Sequence, residues 1–216
     1  MDWADRIRNY ARETGFPECL FVGPDGRVVG TWIMGNDYRV RSEYYGGYPA
    51  GYLRRIRSLF PDKKRVLHLF SGRVDLATFP GDTVDINPEF YPTYVDDAQT
   101  LHRVPLEDYD LVLADPPYSV EDANHYQTTM VKRNVVMRAL QRLPQEAHVV
   151  WLDQVLPMYR KDIFEQEGVI GMVKSTNHRF RVITIFRRRD AGVSANVARA
   201  TKRRQEDHTA AMAAAE

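Results

Sequence analysis

Two kinds of hydrophobic pattern follow one another along the chain, and the change falls near Arg65. Before it, apolar residues recur at helical spacing over residues 1–14, which predicts a short amphipathic helix. Residues 19–34 form two apolar runs around a Gly-Pro-Asp-Gly turn, and this pattern predicts a β-hairpin. The hairpin could be a small recognition element, but an edge extension of a sheet is favoured. A second helical pattern begins at Leu53 and ends at Pro61.

After Arg65, short and almost continuous apolar runs alternate with helical stretches. Runs of this kind, rich in Val and Leu, are typical of buried strands in a parallel sheet that is covered on both faces. Residues 125–143 predict a crossover helix that ends at Pro144. The predicted strands are residues 65–70, 83–86, 93–95, 111–114 and 148–152.

Two further apolar runs, residues 169–176 and 180–187, are too close together for a helix between them. They predict an antiparallel hairpin at the end of the sheet. The whole pattern predicts an α/β, Rossmann-like fold, with helices on both faces of a mostly parallel central sheet and an antiparallel terminal hairpin. Ligands bind such sheets beyond the carboxyl ends of the strands. The residues that follow each strand are therefore the candidates for function.

The composition limits the chemistry that this fold can carry. The chain has 216 residues, of which 44% are hydrophobic and 27% charged, and this suits one main domain. Cys19 is the only cysteine, which excludes an intrachain disulfide framework and a multi-cysteine metal site, and no metal is predicted. No apolar stretch approaches the roughly 18 residues of a membrane span. A cytoplasmic protein is predicted, and its oligomeric state is left open.

Three segments make up the predicted domain organisation. Residues 1–43 form an N-terminal helix and hairpin extension, and residues 44–190 form the main domain. Residues 191–216 form a basic, Ala-rich C-terminal tail.

Small or acidic residues follow the first three predicted strands. Ser71 and Gly72 form a turn where a ligand can approach the backbone closely. Asp85 follows the second strand, where a carboxylate can hold a ribose diol. Asp97 follows the third strand and could accept a hydrogen bond from an exocyclic amine. Each acid alone is as readily explained as a loop acid or an N-cap. Small or acidic residues at the ends of three successive strands nevertheless favour a ligand site.

The fourth strand is followed by Asp115, Pro116, Pro117 and Tyr118, and this is the most informative segment of the chain. The prolines fix an extended backbone and remove two N–H donors, so that carbonyl oxygens remain as acceptors. A carboxylate beside a fixed carbonyl suits an uncharged amino group. The tyrosine ring offers a flat surface for a planar base. A rigid polar turn is the alternative, and the order of the residues disfavours it.

The segment LADPPYS resembles the Asp-Pro-Pro-Tyr motif of S-adenosylmethionine-dependent amino-group methyltransferases, which act on adenine N6 or cytosine N4 in nucleic acid. VLHLFSG resembles that family's cofactor turn, TVDINP its ribose-binding acid, and VDDAQTL its contact to the cofactor adenine. YYGGYPAGYLRRI resembles the Gly-Gly segment of Dam-related and phage adenine methyltransferases. The order of these motifs matches that branch, and the resemblance covers residues 44–187.

The resemblance implies a class I methyltransferase fold, S-adenosylmethionine as the cofactor, and methylation of adenine N6 in DNA. It implies that the Asp115 carboxylate and the Pro116 carbonyl hold the amino group, and that Pro117 and Tyr118 complete the catalytic motif. The cofactor-binding residues that it implies are Tyr45, Gly46, Gly47, Phe70, Ser71, Gly72, Asp85, Ile86, Asp97 and Ala98.

Two positions depart from the family's pattern. Val74 stands in place of the second glycine of the cofactor turn, and Tyr48 in place of the lysine that often follows Gly-Gly. The same chemistry on RNA adenine, on cytosine N4 or on a protein amide stays open. A non-catalytic nucleic-acid-binding protein on this scaffold also stays open. A nicotinamide-dependent oxidoreductase is disfavoured because the dinucleotide glycine triplet is absent.

The basic residues are unevenly distributed, although the formal net charge is only +1. Ten Lys or Arg residues and a single acid lie between Gly171 and Arg204. Such asymmetry suggests a polyanionic partner, and DNA is favoured, whereas a solvated strand end and tail is the simpler explanation of a charge run alone. The predicted nucleic-acid contacts are Lys174, His178, Arg179 and Arg181.

Overall fold

The computed structural model describes residues 1–16, 19–35, 47–117, 130–174 and 180–189. This part of the chain contains three α-helices and nine strands. The helices are α1 (Trp3–Thr14), α2 (Tyr52–Leu59) and α3 (Arg133–Ala139). The strands are β1 (Leu20–Val22), β2 (Val28–Met34), β3 (Val66–Leu69), β4 (Asp82–Asp85), β5 (Tyr94–Val95), β6 (Leu111–Ala114), β7 (His148–Asp153), β8 (Phe164–Lys174) and β9 (Phe180–Arg188).

All nine strands form one sheet, in the order β1-β2-β8-β9-β7-β6-β3-β4-β5. Every strand except β1 and β9 runs in the same direction, because β1 is antiparallel to β2 and β9 is antiparallel to both of its neighbours. The predicted fold class, a mostly parallel Rossmann-like α/β sheet with an antiparallel hairpin, is confirmed.

The β8–β9 hairpin does not end the sheet, and this part of the prediction is wrong. Residues Val28–Met34 pair in parallel with Gly168–Lys174 on the outer side of β8, and β1 then forms the edge. The N-terminal hairpin is therefore an edge extension of the sheet, as the sequence favoured. It closes the hydrogen-bonding edge that β8 would otherwise present to solvent.

Both faces of the sheet are covered by helices. Side chains of β6 alternate, as they must in a strand: Leu111 and Leu113 face α1 and α2, whereas Val112 and Ala114 face α3. The two apolar clusters on these faces are each built from the sheet and from the helices above it. The cluster under α1 and α2 also includes the buried Trp32 of the N-terminal hairpin, so residues of the N-terminal extension share a core with the main domain.

The helix predicted over residues 125–143 is shorter in the structure. Residues 118–129 lie outside the described part of the chain, and residues 130–132 are not helical. Helix α3 begins at Arg133, because the preceding Lys132 has an extended backbone and donates its N–H to the side chain of Gln99 at 3.1 Å. That hydrogen bond directs the chain toward the sheet before the helix starts.

No helix in the described ranges is both long and apolar enough to cross a lipid bilayer.

His68 makes folding stability depend on pH. It is fully buried in β3, its Nε2 lies 3.1 Å from the carbonyl oxygen of Phe79, and its Nδ1 has no partner in the described part of the chain. Burial lowers its pKa from 6.5 to about 4. Between pH 6.5 and about pH 4, this histidine is protonated in the unfolded chain but neutral in the folded chain. The folded state therefore loses stability as the pH falls through this range.

We expect the free energy of unfolding to be lower at pH 5 than at pH 7 by about 2 kcal/mol on account of His68. Urea denaturation of the wild-type chain and of His68→Leu at both pH values measures this, and the variant should lose that part of the pH dependence. His102→Leu, at an exposed histidine, is the matched control. Equal pH dependence in wild type and His68→Leu would contradict the prediction.

Candidate active site

The tips of four neighbouring parallel strands meet at one edge of the sheet. Ala114 of β6 is paired with Leu69 of β3, Leu69 with Val84 of β4, and Asp85 with Val95 of β5. This register places the segments that follow these strands side by side. The structure thus brings together the predicted residues Phe70–Gly72, Asp85–Ile86, Asp97–Ala98 and Asp115–Pro117.

The turn after β3 has two residues in the left-handed region of backbone conformation. Phe70 and Gly72 both have positive φ, 57° and 48°, and glycine relieves the strain of that conformation at the second position. Ser71 between them is buried, and its N–H donates to the carbonyl of Val84 at 3.1 Å. Its hydroxyl oxygen is buried and has no partner among the described residues. Val74 stands where the resembling family has a second glycine. Its side chain packs against the apolar cluster under α1 and α2.

Asp85 joins the tips of β3 and β4. One carboxylate oxygen accepts the Gly72 N–H at 2.8 Å, and the other accepts the Asn87 N–H at 2.9 Å. These two bonds fix the orientation of the carboxylate, and each oxygen keeps a further lone pair for a ligand hydroxyl. The next residue, Ile86, is 53% exposed and offers an apolar surface beside the carboxylate.

Asp97 caps the turn that follows β5. Its carboxylate accepts the Gln99 N–H at 2.8 Å, and its carbonyl accepts the N–H of Thr100 and of Leu101. The sequence left capping open as an alternative explanation of this acid, and Asp97 does serve as a cap. Ala98 beside it is buried.

These strand ends fit S-adenosylmethionine in the chemistry of their donors and acceptors. The unpartnered Ser71 hydroxyl, the doubly anchored Asp85 carboxylate and the exposed Ile86 would match a polar tail, a ribose diol and a flat ring respectively. Nothing at Val74 obstructs this, since its side chain is turned toward the core.

Asp115, Pro116 and Pro117 follow β6. Both prolines are buried and Asp115 is half-buried. No hydrogen bond within the described part of the chain uses the Pro116 carbonyl oxygen. A buried, proline-fixed backbone therefore holds a carboxylate and a carbonyl acceptor close together at the strand tip.

Tyr48 and Tyr52, called the phenol pair below, lie near enough to Asp115 for its charge to act on both hydroxyls. Their rings are stacked, with centroids 5.1 Å apart and an interplanar angle of 14°. Burial raises the pKa of both hydroxyls well above the usual value, and the negative charge of Asp115 raises both further. The sequence identified Tyr48 only as a replacement for lysine and missed Tyr52, which reads as an ordinary apolar position of α2.

Asp153 is a second residue that the sequence analysis missed. It is fully buried at the tip of β7, next to β6 in the sheet. Its carboxylate oxygens accept Arg133 Nε at 2.5 Å and Arg133 Nη2 at 3.1 Å, and also bind Trp151 Nε1 and the Gln154 N–H. The Arg133–Asp153 ion pair attaches the start of α3 to the end of the sheet that carries Asp115. Asp153 directly follows the predicted strand over residues 148–152. It could therefore have been identified in the same way as the residues that follow the other strands.

The other predicted residues are placed as follows. Gly47 is exposed, with open space where a Cβ would lie. Lys174 and Arg181 are half-buried, at the end of β8 and the start of β9, on the same edge as Asp115. The predicted residues outside the described part of the chain are Tyr45, Gly46, Tyr118, His178 and Arg179.

Part of the basic run lies at the other end of the strands, away from Asp115. Arg187 is paired in the sheet with His148, at the start of β7, and its guanidinium forms ion pairs with Glu146, Glu165 and Glu167. Arg188 donates to backbone carbonyls, among them that of Gln141 at 3.1 Å. These basic residues serve the fold. Among the described residues, no group of three His, Cys, Asp or Glu side chains could hold a metal ion.

Neither a scan against protein-family models nor a search of curated proteins finds a match to this chain. Among solved structures, the chain is similar to Mtq2 in the E. cuniculi Mtq2–Trm112 complex, described as responsible for the methylation of the eRF1 translation termination factor. The sequences are 15% identical, the match covers 59% of this chain and 85% of that chain, and the TM-score is 0.38. The substrate named there is that of Mtq2.

Breaking the Arg133–Asp153 pair should strongly destabilise the protein. Asp153→Asn leaves a mostly buried guanidinium without its counterion, because Arg133 is only 19% exposed, and we expect a loss of about 3 kcal/mol in the free energy of unfolding. Urea denaturation measures this. Asp162→Asn, which breaks the exposed Arg160–Asp162 pair, is the control and should change little. A loss in Asp153→Asn no larger than the control's would contradict the prediction.

Proposed function

We propose that this chain is an S-adenosylmethionine-dependent methyltransferase that modifies the exocyclic N6 amino group of adenine in DNA. The observation that supports this most directly is the tip of β6, where Asp115 and two buried prolines stand beside the turn that follows β3. A carboxylate and a proline-fixed carbonyl in this position suit the two N–H bonds of an amino group. The resemblance of LADPPYS to the Asp-Pro-Pro-Tyr motif supports the same assignment.

The reaction needs these acceptors because an amino group attached to an aromatic ring is a poor nucleophile. Its lone pair is delocalised into the ring. Hydrogen bonds from the amino group to the Asp115 carboxylate and the Pro116 carbonyl favour a tetrahedral nitrogen, and they stabilise the positive charge that develops as the new N–C bond forms. The fixed backbone of Pro116 and Pro117 holds both acceptors in position before the substrate arrives.

The cofactor would lie against the tips of β3, β4 and β5, held by Ser71, Gly72, Asp85, Ile86 and the segment that begins at Asp97. When bound, it supplies a methyl group on a sulfonium, which is already activated for transfer. The chain's own part is to hold the ribose and the ring with the Asp85 carboxylate and the exposed Ile86 surface. The cofactor-binding residues and the substrate-binding residues then lie on adjacent strand tips.

Nucleic acid as the substrate is supported by two basic residues at this end of the sheet. Lys174 and Arg181 lie there, whereas Arg187 is held in ion pairs at the other end of the sheet. A base in a duplex must leave the stack to reach the Asp115 tip, and Tyr118 is the proposed surface on which it would stack. RNA adenine, cytosine N4 and a protein amide carry similar amino groups, and they are outcomes that product analysis distinguishes.

We expect Asp115→Ala to fold normally and to lose methyl transfer by at least about a hundredfold, since it removes one of the two acceptors. Radiolabelled methyl transfer to DNA, RNA and a glutamine-containing peptide, followed by nucleoside or amino-acid analysis, measures both activity and product. Glu89→Gln, at an exposed acid near the same edge, is the control and should keep full activity. Unchanged turnover in Asp115→Ala would contradict the assignment of this residue.

Asp85→Ala should lower the affinity for S-adenosylhomocysteine by about tenfold or more, because the ribose acceptor and the anchor of the Gly72 N–H are both removed. Isothermal titration calorimetry measures this, with Glu89→Gln again as the control. A wild-type chain that binds neither S-adenosylmethionine nor S-adenosylhomocysteine would favour the alternative of a non-catalytic nucleic-acid-binding protein.

A further inference from the structure

The phenol pair carries two buried hydroxyl groups with nothing to bind in the described part of the chain. Tyr52 is fully buried, and although Tyr48 is partly exposed, its hydroxyl oxygen is buried too. Neither oxygen has a hydrogen-bond partner among the described residues. Because burying a hydroxyl without a partner costs free energy, the two groups call for an explanation beyond packing.

The pair lies in the apolar layer on the α1 and α2 face of the sheet. On β6, Leu111 and Leu113 project toward α1 and α2, and Asp115 directly follows the strand at the next position of that alternation. Tyr52 belongs to the buried cluster on that face, and Tyr48 packs against it. The charge of Asp115 acts on both hydroxyls. Two unpartnered hydroxyls therefore lie in the apolar layer on this face, within the range of the charge of the carboxylate that is proposed to hold the amino group.

The hydroxyls can serve as hydrogen-bond donors over the whole physiological pH range. Burial, reinforced by the charge of Asp115, raises the pKa of both phenols, so they stay protonated. The charge of Arg181 acts on Tyr52 in the opposite direction, but burial is the larger effect. Asp115 only accepts and the phenols donate, so the site has an acceptor side and a donor side.

We propose that one hydroxyl of the phenol pair donates a hydrogen bond to the ring nitrogen bonded to the carbon that carries the target amino group, since that nitrogen has a single lone pair. In adenine this atom is N1, next to N6. The proposal rests on the proposed function and narrows it: the substrate must have a hydrogen-bond acceptor directly beside its amino group. An aliphatic amine, such as a lysine side chain, has no such acceptor and would leave both hydroxyls unpaired.

Aromatic side chains around the phenol pair hold the two rings in place without any ligand. Tyr52 contacts Trp32 edge-to-face with ring centroids 6.5 Å apart, and Trp32 is stacked on Tyr10 at 5.7 Å. Tyr48 contacts His68 at 6.2 Å. Rings held by such contacts on both sides keep their hydroxyls in place before a substrate binds.

The test combines a change in the enzyme with the removal of one substrate atom. Tyr48→Phe, Tyr52→Phe and the double variant keep the rings and remove only the hydroxyls. Each is assayed on an oligonucleotide that contains adenine, 1-deazaadenine (without N1) or 7-deazaadenine (without N7). We expect wild-type kcat/KM to fall about tenfold on 1-deazaadenine, as the loss of one hydrogen bond predicts, whereas the double variant should not distinguish 1-deazaadenine from adenine.

Tyr10→Phe is the matched control, because the Tyr10 hydroxyl lies in the same aromatic cluster but is bound by Cys19 and Arg55. It should reduce thermal stability and leave the 1-deazaadenine discrimination intact. The Tyr48→Phe and Tyr52→Phe variants should keep or raise the melting temperature, since each removes an unpartnered hydroxyl. Lower melting temperatures in these two variants, with unchanged discrimination, would overturn the proposal and make the hydroxyls structural.

Binding measurements separate this proposal from the proposed function. Fluorescence anisotropy with the three oligonucleotides, in the presence of S-adenosylhomocysteine, reports N1 recognition without any methyl transfer. Equal affinity of the wild-type chain for adenine and 1-deazaadenine would overturn the proposal even if methylation is observed. Discrimination that the double variant loses, without methylation in the wild-type chain, would support the proposal and count against the proposed function.

Discussion

The in-register parallel pairing of β6, β3, β4 and β5 is the constraint on which the candidate site depends. Since Ala114, Leu69 and Val84 are paired across the sheet, the residues after each strand emerge at one level. The hydrogen bond from the Gly72 N–H to the Asp85 carboxylate then ties two of these tips together. A shift of one residue in β6 would turn its side chains to the other face and would move Asp115 away from the phenol pair.

The sequence predicted the strand tips well, because a fully buried parallel strand needs a continuous apolar run and the polar residue after it is easy to identify. It failed where a polar residue is satisfied by a distant one. The first half of β8 contains Glu165 and Glu167, which reads as a loop until their ion pairs with Arg187 are known. The start of α3 depends on a hydrogen bond between Lys132 and Gln99. Such contacts between distant segments leave no periodic signal in the chain.

The charge run shows the same difficulty from the functional side. A count of basic residues treats Arg181 and Arg187 alike, yet the antiparallel direction of β9 sends them to opposite edges of the sheet. Arg187 there forms ion pairs with the carboxylates of Glu146, Glu165 and Glu167. Among the described residues of the run, Lys174 and Arg181 lie at the end of the sheet that carries Asp115. Charge therefore points to a partner only once the direction of the strand is known.

The N-terminal extension also gains a role from its packing. An aromatic series runs from Tyr10 in α1 through Trp32 in β2 to the phenol pair, which connects the extension to the candidate substrate site. Each unpartnered hydroxyl of the phenol pair lowers stability by about 1–3 kcal/mol, whereas burial of the aromatic rings is favourable by a similar amount for each large side chain. The extension can thus offset the instability that the donor side of the site introduces. A site that must keep polar groups unsatisfied until its substrate arrives needs such a rigid apolar support behind it.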